Sequence, residues 1–158
     1  FVTPEDLLPL IALALLAGLS GARAARFALF AVPLAWGLAM ALSPAAQFLP
    51  APLAVSGVIL VVAGAAIAIH RPWPLTVLLP VEALAAVLLG LHDGREYRAA
   101  SAGPLVLTGT TTALFVLFAL VGAESAARRH PSFRLVLRIA GSWLTAIGLL
   151  MIGWSVRV

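Results

Sequence analysis

Six long apolar runs constrain the fold of this chain more than any other feature. They cover about residues 5–19, 27–46, 53–69, 75–91, 103–121 and 133–154. A bilayer core is about 30 Å thick, and an α-helix needs about 20 apolar residues to cross it. Because lipid offers no hydrogen bonds, a crossing segment must satisfy its own backbone, as a helix does. The sequence therefore predicts an all-α fold in which residues 1–158 form a single transmembrane domain, a bundle of six helices.

The composition supports this interpretation and excludes several classes of protein. The chain is 63% hydrophobic and 10% charged, whereas a soluble domain is about 25% charged. It has no cysteine, which excludes disulfides and thiolate metal sites. No basic segment is interleaved with aromatic residues, so we expect the lipid bilayer as a partner and no nucleic acid. No nucleophile–base pair, phosphate loop, dinucleotide fingerprint or haem-attachment motif is present, so we expect no enzymatic activity.

The arginines predict how the helices are oriented in the membrane. Short loops on the inner side of a membrane carry an excess of basic residues. Placing the N-terminus outside puts more arginines on the inner side than on the outer side, so we expect both termini to lie outside. The inner group is Arg23, Arg26, Arg71, Arg128, Arg129 and Arg134, with Arg138 beside it, and the outer group is Arg95, Arg98 and Arg157.

A polar segment follows the fourth apolar run and holds His92, Asp93 and Glu96 within five residues. If this segment is helical, Glu96 shares a helix face with both other residues, which would suit a cation or proton site. The alternative is a solvated connecting loop, since polar residues are expected between spans. The predicted topology places Glu5 and Asp6, at the start of the first run, on the same outer side. We call these five residues the outer cluster and treat them as candidate metal or proton ligands.

Glu82 and Arg138 are candidate intramembrane charges. Glu82 lies about seven residues into the fourth run, or roughly 10 Å from its inner end. Ionisable residues within spans are costly, so they are functional candidates by default. Glu82 is open to three interpretations: a structural ion pair with Arg138, a role in transport or proton movement, or contact with a partner.

Pairs of small residues at a spacing of four permit close approach between membrane helices. Among the pairs of this kind within the apolar runs are Ala14 and Gly18, Gly37 and Ala41, and Ser142 and Ala146.

Two segments resemble known motifs of the HupE/UreJ family of small bacterial membrane proteins. Residues 5–8 read Glu-Asp-Leu-Leu, where the family's first helix carries Asp-His-Leu-Leu. Residues 89–96 read Leu-Gly-Leu-His-Asp-Gly-Arg-Glu, where its fourth helix ends in His-Gly-Tyr-Ala-His-Gly-Ala-Glu. Gly90, Gly94 and Glu96 match without a gap, and the order of spans, glycines and prolines agrees over nearly the whole chain.

The ligand positions of these motifs differ from the family pattern. Asp6, Leu89 and Asp93 stand where the family has histidines, and His92 is displaced by one residue from the second histidine of the fourth-helix motif. Imidazole suits nickel, whereas carboxylate suits harder ions such as magnesium, manganese or calcium. The resemblance therefore implies that the scaffold is kept and that the ligand set is altered and rich in carboxylates.

The resemblance implies a multi-pass protein of the bacterial inner membrane, and the arginine count then predicts that both termini lie in the periplasm. The family is regarded as nickel or cobalt permeases associated with hydrogenase and urease. One hypothesis is accordingly a divalent-cation permease with altered ligands at Asp6, Asp93 and Glu96, together with Glu5 and His92. The alternative is a non-transporting accessory subunit of a larger membrane complex, which the loss of imidazole ligands favours.

Overall fold

A computed structural model describes residues 4–43, 52–99, 103–127 and 131–157, and within these ranges the regular secondary structure is entirely α-helical. This confirms the predicted all-α, six-helix fold. Five of the described helices are long and apolar enough to cross a membrane, whereas the first has only 16 residues. The helices are α1 (Pro4–Leu19), α2 (Ala22–Ala41), α3 (Pro52–Ile69), α4 (Leu75–Ala99), α5 (Pro104–Ala127) and α6 (Pro131–Ser155).

The short helix α1 is the centre of the bundle. It packs against all five other helices, most closely against α5 and α3. Leu10, Leu13, Ala14 and Leu16 have at most 2% of their surface exposed. At about 1.5 Å per residue α1 is roughly 24 Å long, less than the membrane core. Its neighbours therefore extend past both of its ends.

Glycines allow the backbones of α3 and α6 to touch. A Cβ atom added at Gly64 would lie 2.7 Å from the backbone nitrogen of Thr145 and 2.8 Å from the carbonyl oxygen of Gly141. One added at Gly57 would lie 2.9 Å from the carbonyl oxygen of Gly148. As residue numbers rise on α3 they fall on α6, so these helices are antiparallel.

Glycines also allow α2 and α4 to touch, and here the helices run parallel. A Cβ atom at Gly90 would collide with the carbonyl oxygen of Trp36, and one at Gly94 would lie 2.6 Å from that of Met40. The α1–α2 and α3–α4 links meet at one end of the bundle, where the backbone N–H of Trp73 donates to the Ser20 hydroxyl at 3.2 Å. We call this the inner end and the opposite one the outer end, after the predicted topology.

Three helices have bounds that differ from the sequence prediction by five residues or more. One of them is α5, which continues to Ala127 and not to about residue 121. α4 continues to Ala99 and not to about residue 91, so the alternative of a loop at residues 92–96 is wrong. Gly94 packs closely against the backbone of α2 at Met40, and this contact stabilises the helical extension. α2 begins at Ala22, five residues earlier than expected. Gly21 precedes it with φ 112°, a conformation that glycine adopts readily and that breaks the chain between α1 and α2.

The predicted small-residue pairs have different outcomes. Ala14 and Gly18 are both buried, and a Cβ at Gly18 would clash with Ser125 of α5. Of the second pair, only Gly37 packs closely: it faces the Thr111 hydroxyl of α5, whose oxygen a Cβ would approach to 2.9 Å, whereas Ala41 is exposed. Ser142 and Ala146 are exposed, so the prediction of a packing pair there is wrong. The contact surface of α6 passes through Gly141 and Gly148 because these positions admit the α3 backbone.

We predict that Gly64→Ala destabilises the protein by about 1–3 kcal/mol, because the added methyl group meets backbone atoms that cannot rotate away. Thermal or denaturant unfolding of detergent-solubilised protein measures this change. Gly109→Ala on α5 is the matched control, since a Cβ atom added there would meet no heavy atom of the described residues within 4 Å. Equal destabilisation by the two substitutions would contradict the α3–α6 contact.

Candidate ion site at the outer end

The extension of α4 places His92 and Asp93 inside the bundle. Each has 6% of its surface exposed, whereas Glu96, one turn later, is exposed. Two hydrogen bonds attach the extension to the end of α2 and the residues that follow it. The Arg98 guanidinium donates to the carbonyl oxygen of Ala41 at 3.0 Å, and the Ser43 hydroxyl donates to that of Leu91 at 3.1 Å.

A buried hydrogen bond orients Asp93. The indole Nε1–H of Trp36, on α2, donates to Asp93 Oδ2 at 2.8 Å. Trp36 itself is 1% exposed. A hydrogen bond to a charged group is stronger than one between neutral groups, and a buried carboxylate without it would be costly. Trp36 therefore holds the Asp93 carboxyl group in one position.

Asp6 reaches the same region from the first turns of α1. It is 8% exposed and close enough to act electrostatically on both His92 and Asp93. Glu96 also acts on Asp93, and Arg95 acts on His92. The central position and short length of α1 bring Asp6 to the level of the α4 extension. Three helices thus contribute to one buried polar region: Asp6 from α1, Trp36 from α2, and His92 and Asp93 from α4.

His92 is the least satisfied polar group in this region. Neither ring nitrogen has a hydrogen-bond partner in the part of the chain that the structure describes. Burying a polar group without a partner costs about 1–3 kcal/mol in proteins. An imidazole nitrogen with a free lone pair is also a good ligand for a transition metal.

The structure brings together only part of the outer cluster. Asp6, His92 and Asp93 converge, whereas Glu96 lies exposed at their edge, and the side chain of Glu5 lies outside the described residues. Across residues 4–43, 52–99, 103–127 and 131–157, no three carboxylate or imidazole groups are close enough to hold one metal ion in this conformation. Metal binding by the cluster stays a prediction.

The predicted pair between Glu82 and Arg138 does not form. Glu82 is fully buried on α4, and neither of its carboxylate oxygens has a hydrogen-bond partner among the described residues. Arg138 is exposed, and its Nε donates to the carbonyl oxygen of Ala68 at 3.3 Å. The reason is topological, because α6 packs on α3 while α4 packs mainly on α2.

The inner end holds a polar cavity of about 190 Å³. His70 lines it in a left-handed conformation, with φ 55°. Burial, with the charges of Arg134 and Arg138, lowers the pKa of His70, so the imidazole is neutral at neutral pH. Arginine and neutral histidine make this cavity unlike the carboxylate-rich outer end. The lining residues are Gly18, Leu19, Gly21, His70, Ser125, Ala126, Arg134 and Leu137.

Sequence reasoning missed Trp36 and Ser43. Two signals were available for Trp36. Its indole N–H needs an acceptor when buried, and it stands in the interior of an apolar run and not at an interface. No sequence feature indicated a role for Ser43, because its hydrogen bond to the carbonyl oxygen of Leu91 depends on the parallel register of α2 and α4.

A comparison with known protein families matches nearly the whole chain. Residues 1–151 match the family described as HupE / UreJ protein. The chain belongs to the HupE/UreJ family. No curated protein and no solved structure shows significant similarity to it. Members of the HupE/UreJ family are membrane proteins associated with nickel and cobalt transport. The buried part of the outer cluster therefore lies at the two segments that carry the resemblance to HupE/UreJ proteins.

We predict that Trp36→Phe destabilises this HupE/UreJ protein by about 1–3 kcal/mol, because it leaves a buried Asp93 oxygen without its donor. Unfolding of Trp36→Phe, Asp93→Asn and the double variant measures the coupling between the two residues. The double variant should lose less stability than the sum of the single losses. Trp143→Phe is the control, since Trp143 is 71% exposed on α6. Additive losses would contradict a role for the hydrogen bond.

Proposed function

We propose that this protein is a divalent-cation permease of the HupE/UreJ type whose outer ion site combines carboxylates with a single imidazole. The substrate ion would enter from the outer end and first meet Glu96, which is exposed, and then the buried groups Asp6, His92 and Asp93. Membership of a family associated with nickel and cobalt transport supports this function.

The buried imidazole of His92, unpartnered among the described residues, is the observation that carries the proposal. Two carboxylates lie close to it: Asp6 acts on it directly, and Asp93 is its neighbour in the chain. In their deprotonated form these two groups would attract a cation. Apolar packing alone gives no reason to bury an imidazole with both nitrogens unsatisfied. A bound cation would satisfy one nitrogen and would balance the carboxylate charges. Closure of the three groups around the ion would require a small approach of α1 toward α4.

The donor set favours harder ions than an all-imidazole set does. Carboxylate oxygens suit magnesium and manganese, while imidazole suits nickel, zinc and other borderline ions. We therefore expect the preference for manganese or magnesium over nickel to exceed that of a relative with imidazole at the positions of Asp6, Leu89 and Asp93. Ligands must be deprotonated to bind, so the affinity should fall as the pH falls.

We predict that purified protein binds Mn²⁺ at neutral pH. Asp93→Asn and His92→Gln should each weaken this binding at least about tenfold, since substitution of a residue that only hydrogen-bonds to a metal ligand already lowers metal affinity by about that factor. Calorimetric titration with Mn²⁺, Mg²⁺ and Ni²⁺ in turn measures the affinities. Uptake of the bound ion into proteoliposomes then distinguishes transport from binding alone.

Glu124→Gln provides the matched control for this titration. Glu124 is an exposed carboxylate near the inner end of α5, so its loss changes the net charge without touching the outer cluster. An affinity that is unchanged by Asp93→Asn and His92→Gln, or reduced equally by Glu124→Gln, would refute the outer site.

An accessory subunit is the second candidate function, and two observations favour it. In this conformation no three ligand groups of the described residues surround a common point, and one Asp93 oxygen is engaged by Trp36. A chain that has lost transport would then serve by packing against other membrane subunits. Failure to bind any divalent cation, together with co-purification in a fixed ratio with other chains, would favour this function.

The proposal includes an orientation, with both termini on the periplasmic side of a bacterial inner membrane. We predict that a cysteine at Gly103 reacts with an impermeant thiol reagent in intact spheroplasts, whereas one at Ala127 reacts only after lysis. Both positions are exposed and lie at opposite ends of α5. The wild-type chain has no cysteine, so labelling reports only the introduced residue. The reverse pattern would place the outer cluster on the cytoplasmic side.

A further inference from the structure

Glu82 is a second buried polar group that the outer site does not use. Its surface is 0% exposed, and neither carboxylate oxygen has a hydrogen-bond partner within the described ranges. It stands eleven residues before Asp93 on α4, which corresponds to about 16 Å along the helix. Glu82 is therefore too far from the outer cluster to share an ion with it.

The surroundings of Glu82 are apolar. Gly90 of α4 touches Trp36 of α2, so in parallel helices Glu82 and Ala28, each eight residues earlier, lie at one level. Ala28 is 0% exposed, and its α2 neighbours one turn away, Ala24 and Val32, are buried as well. On its own helix Glu82 is flanked by buried leucine and alanine residues.

Charged groups on the packed helices lie near the helix ends. Asp6 stands in the first turns of α1, and Arg23 and Arg26 stand in the first turns of α2 and are exposed. Residues 52–69 of α3 contain no charged group, and the other charges of α4 are at its outer end. None of these charged groups lies within hydrogen-bond distance of Glu82, because neither of its carboxylate oxygens has a hydrogen-bond partner among the described residues.

An apolar groove lies beside Glu82 on the flank of the bundle. It has a volume of about 180 Å³ and runs between α1, α3 and α4. Val81 and Ala85, which lie close to Glu82 along α4, line it together with Leu13 and Leu16 of α1. A small apolar molecule dissolved in lipid can therefore approach the level of Glu82. The lining residues of the groove offer water no polar side chain with which to form a hydrogen bond.

We propose that Glu82 is a proton-binding site of the membrane interior, separate from the outer cluster, that holds its proton in the resting protein. An ionised carboxylate in such a place would need a counter-ion or several donors, and the described residues supply neither. A neutral carboxylic acid needs only to be accommodated. The site goes beyond the proposed cation permease, because it binds a proton independently of any metal ion.

An apolar carbodiimide tests this proposal, because it reacts with a protonated carboxyl group in an apolar environment. The acid O–H adds across a C=N bond: the oxygen bonds to the central carbon and the proton moves to nitrogen. An acyl shift from oxygen to nitrogen then gives a stable N-acylurea, and no group leaves. Purified protein is treated with dicyclohexylcarbodiimide at neutral pH, and the adduct is located by peptide mass spectrometry.

We expect one adduct at Glu82 in the wild type and in Asp93→Asn, and labelling reduced to background in Glu82→Gln. A water-soluble carbodiimide should leave Glu82 unlabelled and should modify the exposed Glu124, which serves as the matched acidic control. Absence of the Glu82 adduct with the apolar reagent would overturn the proposal. Equal labelling of Glu82 by both reagents would also overturn it, since the site would then be open to water.

The stability of Glu82→Gln gives a second measurement that does not depend on access by a reagent. Glutamine is an uncharged isostere, whereas a glutamate in the unfolded chain loses its proton above about pH 4. If Glu82 holds its proton in the folded protein, the wild type should therefore lose stability relative to Glu82→Gln as the pH rises from about 5 to 7, by about tenfold in the folding equilibrium constant per pH unit. A difference between the two proteins that does not change with pH over this range would show that folding binds no proton at Glu82 and would overturn the proposal.

Discussion

Close contact between the backbones of α2 and α4 is the constraint on which the outer site depends. At Gly90 and Gly94 any side chain would collide with carbonyl groups of α2, so the helices approach more closely than larger residues allow. This approach fixes a parallel register, and the register places the Trp36 indole within hydrogen-bond distance of Asp93. A polar site inside an apolar bundle is thus positioned by the residues that lack side chains.

The short central helix α1 explains why polar groups gather at both ends of the bundle. The membrane core is about 30 Å thick, and a helix of 16 residues does not fill it. Polar groups accordingly lie at each end of the bundle. At the outer end Asp6, His92 and Asp93 are buried together, and at the inner end His70 and Arg134 line a cavity. The two ends differ in charge character, which gives the molecule an electrostatic direction along the axis of the bundle.

Particular residues show where prediction from the sequence succeeded and where it failed. The shared end of the bundle at which Asp6 and Asp93 lie followed from the order of the spans. The alternative prediction of a solvated loop at residues 92–96 was wrong. It was based on the polar side chains of this segment, whereas contacts with α2 keep the segment helical. The ion pair of Glu82 and Arg138 failed because two residues at similar depth need not lie on neighbouring helices. The Ser142–Ala146 pair failed because many small residues in an alanine-rich span face lipid.

The sequence by itself determined the class of protein, the number and order of the helices and the family. Apolar length and composition are sufficient for the class and the helices, because a segment in lipid has few ways to satisfy its backbone. The tertiary structure alone decided which faces meet. It paired α2 with α4 and α3 with α6, joined Trp36 to Asp93, and left Glu82 and His92 without hydrogen-bond partners among the described residues. Helices that are apolar on every side carry no periodic signal for their neighbours, so only the fit of glycines against backbones selects among arrangements.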